Sequence, residues 1–236
     1  MPRIMPLGLA LAALFTWTPS HAGISHRLNG DVLEIECQKP HNKKVEPCNI
    51  VLSQYDGQIV IMDGKPANRR DHYTPCDGLG GPEVARYPDA GIRLVQVEGN
   101  KRSDTIAARR LRVPVHANGK GGSDTICGGE GADELQGGDG DDWIYGYGGN
   151  DTIWGGDGPD KLRGGEGDDK IYGNDGDDKL EGQDGADRLE GGPGNDELYG
   201  FVWGAQSFEQ DAFDICLGGS DTDRCELCGQ RNNCER

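Results

Sequence analysis

The stretch Gly164–Glu181, GGEGDDKIYGNDGDDKLE, holds two near-copies of one nine-residue unit, with Asp169 and Asp178 in matching surroundings. A fixed period outranks local propensity in deciding a fold. Steps of nine in both directions give GKGGSDTIC, GGEGADELQ, GGDGDDWIY, GYGGNDTIW, GGDGPDKLR, GGEGDDKIY, GNDGDDKLE, GQDGADRLE and GGPGNDELY, which fill 119–199 without a gap. Places one and four are always Gly. Place six is always Asp: Asp124, Asp133, Asp142, Asp151, Asp160, Asp169, Asp178, Asp187 and Asp196. Place eight is always aliphatic, from Ile126 to Leu198. A glycine-rich acidic tract could be a disordered linker, but disorder does not need four fixed places in nine. A helix fails too, because a nine-residue spacing gives no continuous face at 3.6 residues per turn.

Each unit divides into a loop and a short strand. The glycines of the first six places reach positive φ cheaply, as a tight loop requires. The last three places, such as KIY or TIW, form a strand whose middle side chain points inward and whose neighbours point outward. Two units make one coil of about eighteen residues, and successive coils stack as parallel strands about 4.8 Å apart. Place-six carboxylates such as Asp142, Asp160 and Asp178 therefore form a column, in which like charges repel by about 1 to 4 kcal/mol per pair. One buried aliphatic side chain per nine residues recovers only a fraction of the conformational entropy lost on folding. A cation between the loops would answer both deficits. Carboxylates and glycine carbonyls are hard oxygen ligands that suit calcium, whereas magnesium demands a stricter octahedron and zinc wants His or Cys, which the loops lack.

The nonapeptides resemble the RTX, or haemolysin-type, calcium-binding repeat, G-G-x-G-x-D-x-U-x. The resemblance implies a right-handed parallel β-roll, with calcium held between successive loops by the place-six Asp of two stacked units and by loop carbonyls. The implied carbonyl donors are Gly119, Gly128, Gly137, Gly146, Gly155, Gly164, Gly173 and Gly182. Lys120, Tyr147, Asn174 and Gln183 replace the second Gly, which leaves the backbone conformation at those places open. Pairing Asp residues two units apart gives about seven ions. Residues 119–199 hold 22 Asp plus Glu against 6 Lys plus Arg, a net of −16, while the whole chain is −17. About seven divalent ions would nearly neutralise that tract.

The opening MPRIMPLGLALAALFTWTPSHAG reads as a cleavable secretory signal over 1–22, with Arg3, an apolar run to Trp17 and Ser20-His21-Ala22. Its apolar run is too short for a membrane span, so no transmembrane segment is expected. The mature chain is expected outside the cytoplasm, secreted to the medium or held in the periplasm. Eight cysteines suit that oxidising compartment. Cys37 and Cys48 flank an excursion between two strand-like runs, and Cys76 and Cys127 remain as a candidate pair. Cys216, Cys225, Cys228 and Cys234 lie in the tail, where connectivity is open; a C-x-x-C zinc site is the alternative to disulfides there.

The alternating runs within 23–118 predict degenerate lead-in coils, interrupted by a surface insertion over 64–91, and residues 200–236 predict a disulfide-stapled cap. Asp104 lies twenty residues from Asp124, with Lys101 and Arg102 in its loop, and is not assigned to the column. The expected class is all-β: a parallel β-roll with lead-in coils and a cap. No metalloprotease or nucleophile-elbow motif is present, and the mature histidines read as ordinary surface residues. The expected role is non-catalytic, a surface or matrix interaction protein; the alternative is a small secreted hydrolase or lyase built on the roll, with Asp63, Asp71, His72 and Tyr73 as its candidate site. Calcium ions and a polysaccharide or protein surface are the expected partners, and nucleic acid is not. Trp143 and Tyr145 on one sheet, and Trp154 and Tyr172 on the other, face outward unless the tail or the insertion covers them.

Overall fold

The computed structural model describes residues 18–19, 24–37, 47–64, 76, 79, 83–200, 214–226, 230–232 and 234. The leader over 1–22, most of the 64–91 segment and residues 201–213 lie outside these, apart from Thr18–Pro19 and the residues just given. Every regular element among the described residues is a β-strand, and the strands form a parallel β-solenoid of two facing sheets. The first sheet runs in the order Thr18–Pro19, Ile24–Asn29, Val32–Cys37, Leu94–Glu98, Val115–Gly121, Glu134–Asp139, Thr152–Asp157, Lys170–Asp175, Arg188–Pro193, Ile215–Ser220 and Gln230–Asn232. The second runs Glu83–Pro88, Gln58–Asp63, Asn49–Tyr55, Thr105–Ala107, Thr125–Cys127, Trp143–Gly148, Lys161–Glu166, Lys179–Asp184, Glu197–Tyr199 and Arg224–Glu226.

Register follows the eighteen-residue coil. Ile126 pairs with Ile144, Ile144 with Leu162, and Leu162 with Leu180; on the other sheet Leu135 pairs with Ile153 and Ile153 with Ile171. These place-eight side chains are buried and fill the space between the sheets. The parallel ladder extends back before the clean repeats, through Val115–Gly121 and Leu94–Glu98 to Val32–Cys37, and through Thr105–Ala107 to Asn49–Tyr55.

At the N-terminal end both sheets turn antiparallel. Ile24–Asn29 pairs with Val32–Cys37 across a two-residue turn at Gly30-Asp31, and Asn49–Tyr55 pairs with Gln58–Asp63 across Asp56-Gly57. Asp56 and Gly57 both have positive φ, the Asp-Gly geometry of a tight hairpin. These antiparallel strands cover the N-terminal end of each parallel ladder. The 64–91 segment is not loop throughout: Glu83–Pro88 is a strand on Gln58–Asp63, because its alternation continues the meander. His26 is buried rather than a surface residue. Its Nδ1 lies 2.6 Å from the Tyr87 hydroxyl, linking the edge regions of the two sheets, and burial lowers its pKa.

Cys37 bonds Cys48 across the excursion that they flank, and the two remaining cysteines, Cys76 and Cys127, bond each other. Cys225 bonds Cys234 and Cys216 is also disulfide-bonded, which removes the four-thiolate zinc alternative; Cys228 lies outside the described residues. Cys76 and Leu79 are buried against Trp143 and Tyr145, so this segment covers those two rings and they are not an exposed surface.

Glycine is used for two separate reasons. At place four, Gly140 has a φ of 130° and an added Cβ would collide with the Gly122 carbonyl. At place two side-chain-bearing residues adopt the left-handed conformation as glycine does at Gly138 and Gly156: Lys120, Tyr147, Asn174 and Gln183 have φ of 78°, 77°, 72° and 83°. A side chain there costs about 1 to 2 kcal/mol, partly offset by glycine's greater unfolded-state entropy. Gln183→Gly is therefore expected to stabilise the folded chain by about 0.5 kcal/mol. Gly140→Ala is expected to destabilise it by roughly 2 kcal/mol or more. Thermal unfolding at fixed calcium tests both, and equal midpoints for the two variants would contradict the assignment.

Candidate functional site

The loop columns on the two sides of the roll carry the candidate site. All nine place-six aspartates are at most 2% exposed. Their carboxylates are ordered by the backbone. From Asp124 to Asp178 the amide of each donates to Oδ1 of the place-six Asp eighteen residues on: Asp124 to Asp142 (2.6 Å), Asp142 to Asp160 (2.7 Å) and Asp160 to Asp178 (2.8 Å) on one side. On the other side Asp133 donates to Asp151 and Asp151 to Asp169, each at 2.8 Å, and Asp169 to Asp187 at 2.9 Å. Each coil is thus tied to the next by a charge-assisted hydrogen bond inside the protein.

The second oxygen is treated differently. Oδ2 of Asp151, Asp160, Asp169, Asp178, Asp187 and Asp196 is buried and has no hydrogen-bond partner. Such atoms normally find one. Each points back into its own loop: a Cβ added at place-one Gly155 would collide with Asp160 Oδ2 and sit 2.7 Å from the Gly173 carbonyl, and Gly137 and Gly173 repeat the pattern. Place one is glycine for space, because the hollow bounded by a carboxylate oxygen and a neighbouring carbonyl leaves no room for a methyl group. The donors are all oxygen, and no three His, Cys, Asp or Glu side chains converge among the described residues. An ion here would take its remaining ligands from the backbone, a set that fits calcium.

Burial dominates the electrostatics. It pushes the carboxyls of Asp151, Asp160 and Asp187 up to about 8, Asp133, Asp169 and Asp196 to about 7, and Asp178 to about 6. The backbone donors lower them again, and neighbouring carboxylates raise most of them further. Without a cation Asp151, Asp160 and Asp187 would favour the protonated form at neutral pH.

The column also has members that the nine-residue count passed over. Asp104, buried, donates its amide to Asp124 Oδ1 at 2.6 Å across a separation of twenty. Its own carboxylate accepts from the amides of Cys48 and Asn100, each at 2.6 Å, and burial raises its pKa to about 6 although those two amides and the charge of Lys120 pull it down. The cation with influence is Lys120, not Lys101 or Arg102. GNKRSDTIA over 99–107 carried the signal, with Gly, Asp and Ile at places one, six and eight. Asp133 resembles Asp104 in having both oxygens engaged, by the amides of Val115 and Gly129. At place five, Asp168 and Asp177 accept from the amides of Ala186 and Asn195, both at 2.9 Å, and so brace the outside of the loops.

The model of the RTX calcium-binding nonapeptide repeat matches the chain over 118–153, 128–162, 154–189 and 181–201, so the chain carries these repeats across about a third of its length. Searches of curated proteins and of solved structures found no match. Among the described residues no helix is long and apolar enough to cross a membrane.

The raised carboxyl pKa values fix a sign. The metal-free fold binds more protons than the unfolded chain, so its stability is fullest below the unfolded value near 4 and drains away as pH rises through 6 to 8. Chelated protein is expected to gain far-UV β signal as pH falls from 9 to 5.5, a range above the isoelectric point of about 4.6. A signal that is flat, or that grows with pH, would contradict this account of the columns.

Proposed function

We propose that the RTX calcium-binding repeats of this chain make it an exported, non-catalytic interaction protein, whose roll is ordered by calcium met outside the cell. The observation that carries the reading is the row of buried Oδ2 atoms without a partner, repeated at every coil from Asp151 to Asp196. Stacked place-six pairs from Asp124 to Asp196, with the carbonyls of the place-one glycines, would hold about seven ions. Bound calcium supplies the positive charge that keeps these carboxylates ionised away from water. The chain supplies the rest: amides that fix Oδ1, glycines that leave the hollow open, and aliphatic side chains that gather the coils. In a low-calcium cytoplasm a tract of net charge −16 repels itself. Each site then stabilises the fold by RT ln(1 + [L]/Kd), so several sites make the response steep. The leader and the disulfides Cys37–Cys48 and Cys76–Cys127 support export to an oxidising compartment.

A neutral polysaccharide is the partner class that the first sheet favours. Its outer face has a recess of about 160 Å³ lined by Gln96, Asn118, Gln136, His116, Glu134 and Trp154, among others. Trp154 stacks on Tyr172 with centroids 6.0 Å apart, and both rings are half-buried. Amides beside an aromatic face offer paired donors and acceptors to sugar hydroxyls and a flat surface to a sugar ring. The strong negative charge disfavours nucleic acid and anionic polymers. Of the residues considered for catalysis, Asp71, His72 and Tyr73 lie outside the described residues.

Calcium titration of the mature chain, disulfides intact, followed by far-UV circular dichroism with magnesium as control, tests the first part. A calcium-specific gain of β signal, reversed by chelation, is expected; a chain fully folded without calcium and indifferent to it would end the reading. Cosedimentation with insoluble cellulose and chitin tests the second. Retention in calcium, weakened at least tenfold by Trp154→Ala, is expected, and no retention on either polymer would remove the sugar partner while leaving calcium-driven folding intact.

A further inference from the structure

The repeat match stops at residue 201, but the ladder of carboxylates continues. The amide of Asp187 donates to Asp214 Oδ1 at 3.0 Å, and that of Asp196 to Asp223 Oδ1 at 3.1 Å, the same bond that joins the interior coils. Asp214 and Asp223 are 7% and 1% exposed. The sequence separation is 27 rather than 18, nine residues more than an interior coil. The register around them is otherwise that of the repeat: Leu189 pairs with Cys216 and Leu198 with Cys225, so two disulfide-bonded cysteines stand in the place-eight core column. In GGSDTDRCE over 218–226, Gly219 at place two and Asp221 at place four both have positive φ, at 118° and 79°.

The hollows persist as well. Asp187 Oδ2 and Asp196 Oδ2, both buried, lack a hydrogen-bond partner. A Cβ at Gly182 would collide with Asp187 Oδ2 and lie 2.8 Å from the Gly200 carbonyl, and one at Gly191 would collide with Asp196 Oδ2 and lie 2.5 Å from the Gly218 carbonyl. Gly200 and Gly218 thus stand where place-one glycines stand in the interior.

We infer that two further calcium sites, Asp187 with Asp214 and Asp196 with Asp223, extend the array beyond the matched repeats into the cysteine-rich tail. The tail is then metal-bearing coil as well as cap. This rests on the reading that stacked place-six pairs hold calcium. The N-terminal end is the contrast: Asp104 has both carboxylate oxygens engaged by amides of Cys48 and Asn100, so the ladder closes there on protein donors.

The test is calcium content per folded chain, measured by native mass spectrometry with disulfides intact. Asp223→Asn and Asp214→Asn keep the Oδ1 acceptor, and each is expected to lose one ion relative to wild type, the double variant two. A wild-type count retained in all three overturns the inference. A wild-type chain that binds no calcium instead refutes the repeat reading itself, so the two failures are distinct. Hydrogen exchange on unmutated protein covers a variant that fails to fold. Calcium is expected to protect the amides of Asp187, Asp196 and residues 214–226 along with the interior coils. Protection of the interior with no change over 214–226 overturns the inference equally.

Discussion

An aspartate carboxylate has two oxygens, and in this roll the two have different tasks. Oδ1 takes the amide of the coil before it and sets the spacing and register of the stack. Oδ2, held by the same rigid group, is thereby turned into the loop, where no protein donor reaches it from Asp151 to Asp196. A buried carboxylate accepting one amide is half satisfied, and half-satisfied burial is unfavourable. The ladder that builds the roll is therefore also what creates its demand for cations. Asn at place six could accept the amide and keep the register, but it would bring no charge to hold an ion.

The same constraint explains residue choice around the column. Place one is glycine because the inward-turned oxygen and the next carbonyl fill the volume of a Cβ. Place eight is Ile or Leu because the coil is too thin for more than one inward side chain per strand, and those residues meet across the two sheets. The outward places are free of this pressure and vary. On the second sheet they carry Lys161 over Trp143 and Arg163 paired with Glu181, cross-rung contacts that brace the surface.

The repeat region was legible because four places in nine leave no freedom: each is fixed by one steric or electrostatic demand that recurs at every rung. Place two was not legible, since its left-handed backbone is imposed by the loop, and Tyr147 or Gln183 accepts the strain without a mark in the sequence. Asp104 and Asp223 escaped for another reason. Counting in nines assumes an unbroken phase, whereas stacking requires only that the residue return to the column, as Asp104 and Asp223 do at separations of 20 and 27. Cys216 and Cys225 hid the tail coils further, because a cysteine reads as a staple before it reads as a core residue. His26 looked like a surface residue because nothing local foretells that two sheet edges 61 residues apart meet at its ring. The cover over Trp143 was foreseen only as an alternative, since it depends on where Cys127 draws the distant Cys76.

A stack of near-identical rungs has an addressing problem. A coil that docks one full turn out of place, eighteen residues early or late, would still find a carboxylate for its amide, an aliphatic neighbour for its aliphatic side chain and a glycine for its glycine. The interior of this roll offers little to tell such a frameshifted stack from the correct one. The cysteines do. Cys127 opens the clean repeats and its bond to Cys76 can close in only one alignment, while Cys225 and Cys234 mark the other end. The disulfides thus act as end markers on an otherwise unnumbered ladder, and their oxidation would fix the count of coils.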